Sequence, residues 1–239
     1  MNMVNPIIEK GVRDVCGRFS LYADFNVILK RFNVEETALE EEEYKPSYNV
    51  APSQQVLAIV NDGTKNRLGQ LKWGLIPPWA KDEKIGSKMI NARSETAAEK
   101  PSFKRSLRQK RCLVIADSFY EWRRVEGKKI PMLIKMKSGE PFAFAALWET
   151  WQSPDGKKVN SCAILTTGPN ELMEGIHDRM PVILTKEEER IWLDPKVQDP
   201  EELMTLLKPP NPAAMEVFEV SNAVNSPKNN SPELIEKVQ

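Results

Sequence analysis

The sequence predicts an α+β fold, a single domain of curved, largely antiparallel and barrel-like β-structure with flanking helices. Short apolar segments, "CLVIAD", "FYEWRR", "PMLIKMK", "FAFAALWET" and "NSCAILTT", follow one another at close spacing and read as strands. The links between them, "EGKK", "SGEP" and "SPDGKK", carry the turn chemistry of hairpins, and repeated short strands joined in this way favour a curved sheet. Helical periodicity lies outside this run, which makes the class α+β.

In chain order, residues 1–15 have little periodicity and few anchors and read as a disordered leader. From Leu21 to Val34, Phe25, Ile28, Leu29 and Phe32 recur at helical spacing and predict one amphipathic helix. "YKPSYNVAPSQ" reads as a loop, because its two prolines oppose regular pairing. "QVLAIV", "NDGT" and "NRLGQLKWG" form a hairpin turning at Asp62-Gly63. "MINARSET" is a strand passing into a helix. Further helices are expected over "ETAAEKPSFKRSL", "NELMEGI", "KEEERIWL" and "DPEELMTLL", several of which start at proline or aspartate. The polar end, "SPKNNSPELIEKVQ", reads as loosely held.

A chain of 239 residues with 41% hydrophobic residues can bury a substantial core. No apolar run approaches the roughly 18 to 20 residues of a membrane span, and the N-terminus lacks a signal pattern, so a cytoplasmic location is expected. Cys16, Cys112 and Cys162 show neither paired metal spacing nor a disulfide framework, so no metal or other cofactor is expected. Lysine plus arginine equal aspartate plus glutamate, 34 each, which removes net charge as an argument for nucleic-acid binding. Local clusters must carry that case. "KPSFKRSLRQKR" is basic with no acidic residue, and it reads equally well as a solvated helix face.

Candidate chemistry lies at a handful of positions. Cys16, in "RDVCGRFS", opens the ordered chain beside Gly17, which lets backbone approach, and Arg18, which can hold a phosphate bidentately. Cys112 and Cys162 lie inside apolar strands and read as inert core. His177, the one histidine, adjoins Asp178 and Arg179 and could transfer protons, although a lone histidine is more often structural. Glu121 lies among Phe119, Tyr120 and Trp122, whose desolvation raises a carboxylate pKa, with a salt bridge as the alternative reading. Asn91 and Arg93 suit polar readout and anion binding where the strand meets the helix. Trp79, behind two prolines in "GLIPPWAKD", is either a rigid stacking platform for a base or core packing.

Taken together, "CGRFS", "YNVAPSQ", "WGLIPPWAKD", "INARSET", "SFYEW", "ILTT", "IHDRMPVIL" and "VSNAV", in this order, resemble the SRAP family, the SOS response-associated peptidases and their relatives that shield abasic sites. The resemblance covers Cys16 to about Leu234 as one domain and leaves 235–239 as a tail. It implies a compact α+β fold with a positively charged groove for single-stranded DNA, and a covalent thiazolidine crosslink from an N-terminal cysteine to the abasic aldehyde. It implies further that Cys16 is the nucleophile, surrounded by Asn91, Glu121 and His177. Arg18, Arg93 and Arg179 would hold the phosphate backbone, with Trp79, Asn49 and Pro52 also on the DNA-binding surface. The partner expected is single-stranded DNA with abasic sites, bound by a monomer and bringing it to the nucleoid.

The chain departs from the family pattern at its front. Family members begin Met-Cys, whereas fifteen residues precede Cys16 here, and with Val15 attached no free α-amine exists to form the ring. Either the thiol frees its own amine by attacking the preceding peptide bond, or Val15 is the true start. The second is preferred, since valine can be encoded by GUG and Glu9-Lys10-Gly11 by a purine-rich ribosome-binding sequence. Two alternatives in function stay open, a cysteine-dependent peptidase acting on other substrates and a non-catalytic single-strand binding module.

Overall fold

The computed structural model describes residues 16–238, so the expectations for residues 1–15 lie outside the described residues. The chain enters through β1 (Phe19–Leu21), α1 (Phe25–Arg31), β2 (Glu36–Thr37) and β3 (Ser47–Val50). The hairpin β4 (Gln55–Asn61) and β5 (Asn66–Trp73) precedes β6 (Asn91–Arg93), α2 (Ser94–Ala97) and α3 (Lys104–Gln109). The long strands β7 (Arg111–Ala116), β8 (Ser118–Val125), β9 (Lys128–Met136), β10 (Phe142–Gln152) and β11 (Lys158–Thr167) follow. Short β12 (Met180–Pro181) and β13 (Ile183–Leu184), then α4 (Lys186–Leu193), α5 (Pro200–Thr205) and β14 (Met215–Glu219), complete the order.

The curved β-structure closes on itself. Strands β11, β10, β7, β4 and β5 pair antiparallel in sequence around a ring, and a parallel pairing of β11 with β5, Ser161 opposite Lys72, shuts it. A second, antiparallel sheet runs β14-β9-β8-β1-β3. Phe19 of β1, Phe119 of β8, Trp73 of β5 and Phe144 of β10 meet in the core, with ring centroids 5.2 to 6.2 Å apart. Edge-to-face and tilted contacts at these separations add to the area the rings bury. A smaller core of Tyr120, Leu133, Val220, Val224 and Leu234 lies against β8 and β9.

Several elements differ from expectation for local reasons. The prolines of "YKPSYNVAPSQ" flank β3 rather than prevent it, because an edge strand tolerates proline at its ends. Residues 21–34 divide between β1 and a shorter helix, whose start is set by Asp24 accepting the Asn26 N–H at 2.9 Å. The helix over 95–107 is broken into α2 and α3 around Pro101, which lacks a backbone donor and disfavours helical geometry in the residue before it. "NELMEGI" makes hydrogen-bonded turns, not a helix. There the Asn170 side chain accepts the Met173 N–H and donates to Pro210 O, competing with the helical ladder. The C-terminal segment, read as loose, is held. Leu234 is buried, Lys237 bridges to Val220, and the Val238 N–H reaches Glu219 O at 3.0 Å. The barrel hairpins and α4 match the reading of the sequence.

Candidate active site

Cys16 stands three residues before the start of β1, at the point where both sheets come together. Phe19 pairs with Phe119 in the β1–β8 ladder, and the Tyr120 N–H donates to Arg18 O at 2.9 Å, so the register brings Gly17 opposite Glu121. The Glu121 carboxylate lies near enough to the Cys16 thiol for its charge to act on it. Asn91, the first residue of β6, donates from Nδ2 to Cys16 O at 3.2 Å. The parallel pairing of β6 with β11, Asn91 opposite Ile164, positions that amide. From the other side, Cys16 Sγ is 3.9 Å from Arg179 O, just ahead of β12. Asn91, Glu121 and the 177–179 loop therefore converge on Cys16 from three separate elements.

Cys16 is 6% exposed and has φ of +22°, a backbone geometry that L-residues adopt at a cost. Burial raises its thiol pKa well above the ordinary value. The negative charge of Glu121 adds to this, and Arg179 offsets part of it. The resting thiol is neutral, with a carboxylate placed to receive its proton. His177 is one step removed. Its Nδ1 accepts the Arg179 N–H at 3.1 Å and lies 3.3 Å from Asp178, so it connects to Cys16 through the Arg179 backbone.

The expected phosphate-holding arginines are not alike. Arg93 is exposed and makes no ion pair among the described residues. Arg179 is instead engaged bidentately by Glu95, at 2.6 and 2.9 Å, and bonds Thr166. The Arg18 Nη1 donates to Asn49 Oδ1 and Val224 O, both at 2.7 Å, and the guanidinium lies over the Trp122 ring. Asn49 is not at the surface. It is 2% exposed, and its amide also reaches the carbonyls of Val224, Ser226 and Asn229, which makes it a brace for Arg18. Pro52 is half-buried in the turn after β3. Glu95 was missed by sequence reasoning, and nothing in the spacing of residues 95 and 179 signals their pairing.

Trp79 is 60% exposed, which removes the core-packing reading. Its loop is anchored from below. The Ile76 N–H donates to Ser161 Oγ at 2.8 Å, and Trp151 Nε1 donates to Ala80 O at 2.7 Å. Among the described residues, no group of three histidine, cysteine, aspartate or glutamate side chains is arranged to hold a metal ion.

The chain is similar to known proteins over most of its length. The family model described as SOS response associated peptidase (SRAP) matches residues 15–227. Abasic site processing protein YoqW of Bacillus subtilis is 62% identical over 223 residues, covering 93% of this chain and 99% of that protein. Abasic site processing protein HMCES of Xenopus tropicalis is 32% identical over 225 residues, covering 81% of this chain and 67% of that protein. A crystal structure of a protein from Bacteroides thetaiotaomicron superposes with a TM-score of 0.85 at 28% identity, covering 94% of this chain and all of that one.

Proposed function

Because the chain belongs to the SOS response-associated peptidase family, we propose that it processes abasic sites in DNA by forming a covalent thiazolidine through Cys16. The observation that carries this reading is a buried Cys16 thiol next to the buried Glu121 carboxylate, with Asn91 on the Cys16 carbonyl. An abasic deoxyribose presents an aldehyde in its open form. The α-amine of an N-terminal cysteine, with a pKa of about 7.7 to 8, is partly neutral at physiological pH. It adds to the aldehyde and expels water to give a Schiff base. The thiol sulfur then attacks the imine carbon while its proton passes through Glu121 to the nitrogen, closing a five-membered ring. The ring removes the free aldehyde from which strand cleavage starts.

Asn91 orients the Cys16 backbone in this scheme, and His177 moves protons from the far side of the Arg179 carbonyl. Arg93 holds backbone phosphate directly, as its unpaired, exposed guanidinium allows. Arg18, braced by Asn49, lends positive charge from a fixed position, whereas the charge of Arg179 is offset by Glu95. Trp79, next to a stiff diproline, offers a stacking face for an unpaired base. Single-stranded DNA fits such a site because no duplex has to be opened. The peptidase chemistry belongs to the same thiol: attack on the carbonyl before Cys16 breaks the peptide bond as a thioester forms, and water releases the leader.

The test is a denaturing gel shift of single-stranded DNA holding one abasic site, with the full chain and with a chain made to begin at Cys16. Crosslinking is expected at once for the short chain, and for the full chain only after residues 1–15 are removed. Full-length protein that crosslinks with Met1 still attached, by intact mass, would falsify the thiazolidine at Cys16.

A further inference from the structure

The basic segment around α3 divides in two. Lys110 and Arg111 turn inward, Lys110 to the buried Glu149 at 3.0 Å and Arg111 to the carbonyls of Trp192, Leu107, Arg108 and Asp194. Burial lowers the Arg111 pKa to about 10. Lys100, Lys104, Arg105 and Arg108 turn outward and are exposed. Some other surface cations have carboxylate partners, as Lys65 and Arg67 do with Glu36, Lys135 with Glu216 and Lys208 with Glu188, while others, such as Lys45 and Lys81, have none among the described residues. The four outward cations have none among the described residues, although Glu99 adjoins them and Glu201 and Glu202 lie on neighbouring α5. A recess of about 300 Å³ opens between Lys104, Arg105, Arg108, Gln109 and Ala98. In a chain with no net charge, an unpaired cluster of this kind is a local field that suits a polyanion.

The patch is tethered closely to Arg93. Helix α2 advances ~6 Å over its four residues, and the seven residues from Ala98 to Lys104 reach at most ~25 Å. Lys104 therefore lies within ~30 Å of the site, a span covered by about nine nucleotides at ~3.4 Å each. We propose that the outward face of α3 binds backbone phosphates of the DNA that flanks the reacting site, as a second contact beyond the one around Cys16. The inference rests on the reading of that site as one that handles DNA, and it concerns strand length rather than chemistry.

Undamaged single strands of 6 and 30 nucleotides separate the two. The variant Lys104→Ala/Arg105→Ala/Arg108→Ala, in a chain beginning at Cys16, is expected to bind the 30-mer at least fivefold more weakly. Its log-affinity against log-salt slope should be shallower by about 2, from ~0.7 per phosphate contact on single strands. Crosslinking to an abasic 6-mer should be unchanged. Equal affinity and slope on the 30-mer, in a variant with unaltered thermal unfolding, overturns the proposal. If no protein crosslinks the abasic 6-mer but the 30-mer difference persists, the patch stands and the thiazolidine reading falls. Where the triple variant unfolds early, Arg105→Gln alone is read against a slope change of ~0.7.

Discussion

At Cys16 a thiol and a carboxylate share a site from which water is excluded, and burial decides which of them holds the proton. The thiol pKa is raised first by desolvation and then by Glu121, so the sulfur is not a standing thiolate and needs a base at the moment it reacts. Glu121→Gln is expected to slow crosslinking by a factor of about 10² while leaving undamaged-DNA binding within about twofold. The same change removes a negative charge, so the inflection of Cys16 alkylation by iodoacetamide, followed by mass against pH, should move to lower pH. An unchanged rate and an unmoved inflection together would exclude Glu121 as the base. The candidate residues themselves were legible as types. Cysteine beside glycine and arginine, glutamate among aromatics and tryptophan behind prolines each carry a chemical signature. Their engagement was not legible, because Arg179 with Glu95 and Arg18 with Asn49 pair across 84 and 31 residues of sequence.

Among the elements, the loop from β5 to β6 carries Trp79 and is shaped by two glycines in contact. Gly74 has φ of +130°, and a Cβ on Gly86 would lie 2.6 Å from Gly74 O, a backbone atom with little freedom to withdraw. Gly86→Ala is therefore expected to cost about 1 to 3 kcal/mol, the range for forcing atoms into a packed site. Urea denaturation measures it, and loss of less than about 0.5 kcal/mol would mean the loop shifts freely. The hairpins of this fold were readable because turn residues mark both ends of each strand. The broken helix around Pro101 was overextended because apolar spacing continues through the proline, and "NELMEGI" was misread because Asn170 bonds the backbone locally.

At the scale of the molecule, the C-terminal segment packs Leu234 into the smaller core and bridges to Val220, and the turn just before it carries the Val224 carbonyl to Arg18, so the far end of the chain steadies the neighbourhood of Cys16. Cys112 and Cys162 are fully buried on β7 and β11, and burial raises both thiols above their ordinary pKa. Below about pH 8.5 the thiols are neutral in folded and unfolded chains alike. Above it the unfolded chain releases protons that the folded chain keeps, so stability falls as pH rises until the folded pKa is reached. Each thiol contributes ~1.4 kcal/mol per pH unit in that window. Urea unfolding between pH 8.5 and 10.5 should show the decline, with Cys112→Ala reducing its slope by about that amount. An identical slope would mean Cys112 ionises as readily folded as unfolded.

Composition, hydrophobic period and turn chemistry by themselves determined the class and the run of hairpins and offered candidate residues for chemistry, since these are local properties of the chain. Only the tertiary structure decided that the curved sheet closes through a parallel β11–β5 contact and that a polar C-terminal segment is built in. It also decided that one expected arginine of the DNA surface is free while two are held. Those outcomes depend on which distant groups meet, and pairing over such separations is settled by packing and charge in three dimensions, not by spacing along the sequence.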